Sequence, residues 1–92
     1  DALVKHELYV AEFYLDRGDR LAAAVRLEKV RENFKESSIV PDAMFLQAMT
    51  YLKLDRNQDA VKVLEEIISF YPSHYQSKRA SEYLMMLKRK GG

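Results

Sequence analysis

The chain has 92 residues, of which 48% are apolar and 32% charged, with a net charge of +1 and no cysteine. That is one small domain's worth of core. A charge this small gives no field to gather nucleic acid, and the lack of thiols excludes both a disulfide framework and a thiolate metal site.

The spacing of apolar residues predicts five helices. The first runs from about Ala2 to Arg17, with Val4, Leu8, Ala11 and Leu15 three or four apart on one side. Tyr9 and Phe13 form a second apolar edge on the same helix. Gly18 should end it, because glycine accepts the left-handed conformation that helix ends often need. The second helix covers about Arg20 to Phe34, with Ala23, Ala24, Leu27, Val30 and Phe34 inward. Lys35 to Val40 is polar and reads as a loop. Pro41 suits the first turn of a third helix, where its missing N–H costs nothing. That helix carries Phe45, Ala48, Tyr51 and Leu52 to about Leu54.

Asp55, Arg56 and Asn57 form the next turn, with Asn57 read as the N-cap of the fourth helix. This helix buries Ala60, Leu64, Ile67 and Ile68 and stops at Tyr71 before Pro72. The fifth spans about Gln76 to Lys90, with Ala80, Tyr83, Leu84 and Leu87 inward. Met85 and Met86 are expected to fill core space. Lys88, Arg89 and Lys90 fit the last turn of a helix, where the dipole favours cations.

The chain repeats itself at a constant spacing of 37 residues. Ala11, Tyr14, Leu15, Ala23, Leu27 and Glu28 recur as Ala48, Tyr51, Leu52, Ala60, Leu64 and Glu65. Such a period means stacked helix pairs, each unable to bury its apolar face alone. Paired alanines at equivalent places let two helices approach closely where they cross. The expected fold is all-α: a tetratricopeptide-like solenoid of two antiparallel helix pairs and a C-terminal helix. Repeat one covers about 2–37, repeat two about 38–73, and the terminal helix about 76–90, together a single domain cut from a longer solenoid. The edge of Tyr9 and Phe13 is the sign of that cut, since it lies beyond the face the second helix needs.

Catalytic patterns are absent. His6-Glu7 would open a zinc-protease motif, but the position four residues after His6 is Val10. His74 stands alone in the loop between the second pair and the last helix, and Glu65 and Glu66 diverge by about 100° on a helix. With only Gly18, Gly91 and Gly92, no phosphate-binding loop exists. No enzyme, cofactor, metal or small-molecule substrate is expected.

The order of a small residue, Tyr-Leu, a glycine turn, alanine, an aromatic and proline resembles the tetratricopeptide repeat, whose usual unit is about 34 residues. The first unit carries a closer likeness. His6 to Leu15, then Arg17-Gly18, then Leu21 to Glu28 resemble the BamD (ComL) family of outer-membrane assembly lipoproteins, with a likeness extending from about Ala2 to Tyr71. Two features depart from that family's pattern: Lys35 follows Phe34 where a proline is usual, and the fifth helix matches weakly.

The resemblance implies a scaffold at the periplasmic face of the outer membrane, held by a lipid anchor upstream of this piece. It implies docking on the POTRA region of BamA and on accessory Bam lipoproteins, with Arg26 at the BamA contact and Arg17 and Phe13 beside it. Arg26 has a plainer alternative, an exposed pair with a nearby acid. Two other repeat proteins compete with this reading. A coordinator of the Tol–Pal type shares the long unit but not the run from His6 to Tyr14. A chaperone-docking clamp needs asparagine where Tyr9 and Leu46 stand.

Overall fold

The computed structural model describes residues 2–91, which form α1 (Ala2–Asp16), α2 (Arg20–Asn33), α3 (Val40–Lys53), α4 (Asn57–Phe70) and α5 (Tyr75–Gly91). It is all-helical among the described residues, as the periodicity requires. Consecutive helices pack on one another, and α3 also touches α1 and α5. The result is a flat slab of 39 × 31 × 17 Å.

The two turns within the pairs repeat each other atom for atom. Gly18 sits at φ 82° and Asp55, 37 residues on, at φ 62°. In the first turn the N–H of Asp19 reaches back to the carbonyl of Tyr14 at 2.8 Å; in the second, Arg56 N–H reaches Tyr51 at 2.8 Å. Glycine adopts this left-handed conformation freely, and aspartate tolerates it better than most residues.

The caps that follow diverge. Asp19 caps α2, its Oδ1 accepting from the N–H of Ala22 at 3.2 Å. The equivalent residue before α4 is Arg56, which makes no capping hydrogen bond, and Asn57 is the first helical residue instead of the cap expected of it. Arg56 turns its side chain to Asp59 in the first turn, at 2.8 Å, and lies over the ring of Tyr51. The pairing of Arg56 with Asp59 competes for the place that an asparagine cap would use.

Two cores follow from the two pairs. Val4, Ala11, Leu27, Val30 and Ala43 form one; Met44, Phe45, Ala48, Val63, Leu64, Ile67, Ala80 and Leu84 lie in the other. Phe34, which ends α2, packs against both. All four crossing alanines (Ala11, Ala23, Ala48 and Ala60) are fully buried. Met85 and Met86 are not core filler: they are 57% and 48% exposed, because among the described residues α5 packs only on α4 and α3, away from their side.

The turn at Gly18 provides a direct check on the backbone. A Cβ added there would meet nothing within 4 Å, so any penalty is conformational alone. Gly18→Ala is expected to cost about 1 kcal/mol, from the left-handed strain on an L-residue less the gain in unfolded-chain stiffness. For a domain of this size that lowers Tm by about 4–8 °C in thermal circular dichroism.

Candidate protein-interaction site

Departures from internal symmetry mark where the repeat has been put to other use. In the second unit, Met44 on α3 and Val63 on α4 are buried in the same core. The positions 37 residues earlier are Glu7 and Arg26. There the guanidinium of Arg26 clasps the Glu7 carboxylate, with Nη1 3.2 Å from Oε2 and 3.5 Å from Oε1. The side chains are 36% and 21% exposed, so the pair is within reach of solvent. Hydrogen bonding to Glu7, reinforced by its charge, holds the Arg26 guanidinium above its ordinary pKa, with a smaller contribution from Tyr14. Arg26 is therefore a fixed, permanently charged fork held by an acid of its own chain.

Beside the clasp lies a groove of about 460 Å³, lined by Tyr14, Leu21, Val25, Arg26 and Lys29 among others. Leu21 and Val25 are 60% and 52% exposed. One helical turn apart, they make an apolar strip along α2. Their equivalents in α4 are Gln58 and Lys62, the polar residues an outward face normally carries.

Phe13 and Arg17 lie elsewhere on the same pair. The Arg17 guanidinium stacks over the Phe13 ring at 5.2 Å, and Phe13 meets Tyr14 edge-on at 5.9 Å. Tyr14 thus touches Phe13 and also lines the groove that Arg26 enters. Helical periodicity alone does not mark Glu7, Leu21 or Val25 as surface features, whereas a position-by-position comparison of the two units singles out all three.

A second polar cluster binds the two units together. Gln47 of α3 is fully buried. Its Nε2 donates to Glu28 Oε2 at 2.7 Å, and its Oε1 accepts from Arg31 Nη1 at 3.0 Å. Arg31 also pairs with Glu66 on α4 at 3.0 Å. Burial, with the charge of Glu28, pushes the neighbouring Tyr51 phenol up. His74, alone in the sequence, has structural work: its Nδ1 accepts from the N–H of Gln76 at 3.1 Å, at the start of α5. It stacks on Tyr75, whose hydroxyl donates to Asp42; that hydrogen bond raises the Tyr75 phenol.

The fold and this surface define a helical-repeat protein of the tetratricopeptide type, built to present side chains from helix faces. Comparison with known proteins narrows the class. Residues 1–65 match the model of the YfiO outer membrane lipoproteins, and the chain belongs to that family. It is similar to the outer membrane protein assembly factor BamD of Neisseria gonorrhoeae, with 35% identity over 68 residues, covering 71% of this chain and 26% of the relative. BamD of Neisseria meningitidis serogroup B is 34% identical over the same length and coverage. The chain thus spans about a quarter of the length of these curated relatives. No solved structure matches it.

The buried amide offers a test of the junction between units. Gln47→Leu strips Glu28 and Arg31 of their shared partner, and the expected loss is about 1–3 kcal/mol. Urea unfolding followed by circular dichroism measures it.

Proposed function

We propose that this chain is a non-catalytic docking piece of an outer-membrane assembly scaffold. In this reading its first helix pair binds the POTRA region of BamA through Arg26. The carrying observation is the Glu7–Arg26 clasp, which stands where the second unit has buried Met44 and Val63. A partly buried ion pair is a poor way to hold two helices when apolar residues fit the same place. Retaining it makes sense if the charge serves a partner. A carboxylate from that partner would take Arg26 over from Glu7, while Leu21 and Val25 offer an apolar strip beside it. Arg17, held over the Phe13 ring, would extend the contact along α1. The relatives named as assembly factors support the same reading. Accessory Bam lipoproteins are further partners, and an upstream lipid anchor would hold the whole at the periplasmic face.

The scaffold would also continue before α1. Leu3, Val10 and Phe13 occupy the register of Val40, Gln47 and Thr50 of α3, the row through which Gln47 meets Glu28 and Arg31 of α2. In α3 that row is buried, whereas Leu3 and Phe13 are 67% and 47% exposed. A helix of the α2 type, earlier in the full-length protein, would cover them. The repeats of about 2–37 and 38–73, with the helix of about 76–90, are then part of one longer domain.

Two variants test docking. Arg26→Ala keeps full helicity and weakens binding to a BamA POTRA fragment by about tenfold or more in titration calorimetry; equal affinity overturns the proposal. Glu7→Met with Arg26→Val copies the second unit, and is expected to keep or raise Tm while losing the same binding. For the continuation, the 92-residue chain should self-associate in sedimentation, and Val10→Gln with Phe13→Thr should return it to a monomer.

A further inference from the structure

The family match stops at residue 65, and α5 lies wholly beyond it. This helix differs from the rest of the chain in charge. Its residues include five cations (Lys78, Arg79, Lys88, Arg89 and Lys90) and one acid, Glu82, whereas residues 1–74 hold ten cations against thirteen acids. The molecule is basic at one end and acidic over the remainder.

The repeat register sorts those charges by face. Arg79 stacks over Phe45 of α3 and Lys90 lines a groove with Asn57 and Gln58 of α4, which leaves Lys78 and Arg89 on the outward row. Val4, Leu8, Ala11 and Leu15 of α1 are the row that meets its paired helix, and Pro41, Phe45, Ala48 and Leu52 hold the same register in α3. In α5 the register reads Lys78, Glu82, Met85 and Arg89. A row that elsewhere buries apolar side chains has here become charged around a methionine, and all four residues are exposed. Lys88, Arg89 and Lys90 complete the last turn of the helix, and Met86 adds a second exposed thioether. The helix dipole accounts for cations in that turn but not for Lys78, or for two half-exposed methionines.

We propose that this outward face of α5 docks on an anionic phospholipid surface. Clustered cations are attracted to acidic headgroups near the bilayer, and flexible methionines can settle among the headgroups beside them. The family is one of outer membrane lipoproteins, so such a surface is at hand. This contact is separate from Arg26 and would hold α5 against the bilayer while the α1–α2 pair remains free for a protein partner.

The test is co-sedimentation of the 92-residue chain with vesicles of phosphatidylcholine, alone or with one third phosphatidylglycerol. The chain should bind only the anionic vesicles, and lose that binding in high salt. Lys88→Gln/Arg89→Gln/Lys90→Gln should weaken it about tenfold or more. Lys35→Gln/Lys53→Gln/Lys62→Gln, with the same net charge but cations removed from other elements, should leave it nearly unchanged. Met85→Ser/Met86→Ser should weaken it several-fold with every charge in place. Circular dichroism checks that each variant keeps its helix content. Binding to neither vesicle, equal binding to both, or equal loss in the two lysine-bearing triples overturns the proposal. Binding of an acidic protein but not of vesicles overturns it too. None of these outcomes bears on Arg26.

Discussion

A single helix, α3, must bury two faces at once, and the rest of the molecule is arranged around that demand. Eight of its fourteen residues are buried. Ala43 packs with Leu27 and Val30 of α2, where Gln47 also meets Glu28 and Arg31, while Val40, Phe45 and Ala48 share a core with Val63, Leu64 and Ile67 of α4. Such a helix cannot be amphipathic in the ordinary sense, and it is stable only with a neighbour on each side. Phe34 closes the arrangement by packing into both cores from the end of α2. Bending one pair against the other would pull this ring out of one core or the other. The polar contact of Gln47 with Glu28 and Arg31 fixes the register in the same place, since a slip would strand three hydrogen-bonding groups.

Much of this was legible in the sequence because it depends on local rules. The five helices, the stop at Gly18, the alanines at the crossings and the inward residues of α5 follow from spacing and backbone chemistry. The missed points each depend on competition between neighbours. Asn57 has the chemistry of a cap, but Arg56 precedes it and pairs with Asp59. Met85 and Met86 are apolar, but their burial depended on a further helix against α5, which spacing alone does not supply. The partner of Arg26 was hidden for another reason. Glu7 lies nineteen residues away, and only the folded hairpin brings the two together.

Repetition is what makes the unusual residues visible. A lone salt bridge on a helical surface carries little information, because many such pairs contribute nothing measurable. The same pair becomes informative when a second copy of the scaffold, in the same chain, solves the same packing problem with methionine and valine. Leu21 and Val25 gain meaning similarly against Gln58 and Lys62, and Lys78 and Arg89 against Pro41 and Leu52. Each unit serves as the control for the other, with the fold held constant.

On the docking role proposed for Arg26, the Glu7–Arg26 clasp also acts as a filter. A bare guanidinium on a surface would take up any passing acid, from buffer ions to the tails of unrelated proteins. Glu7 is tethered 3.2 Å away, and a tethered competitor is always at high effective concentration. A visitor offering only a carboxylate merely exchanges one ion pair for another and gains nothing. One that also covers the neighbouring leucine and valine gains what Glu7 cannot supply. Selectivity then comes from the incumbent: by occupying its own seat, the chain turns a generic charge into a lock that needs two keys turned together.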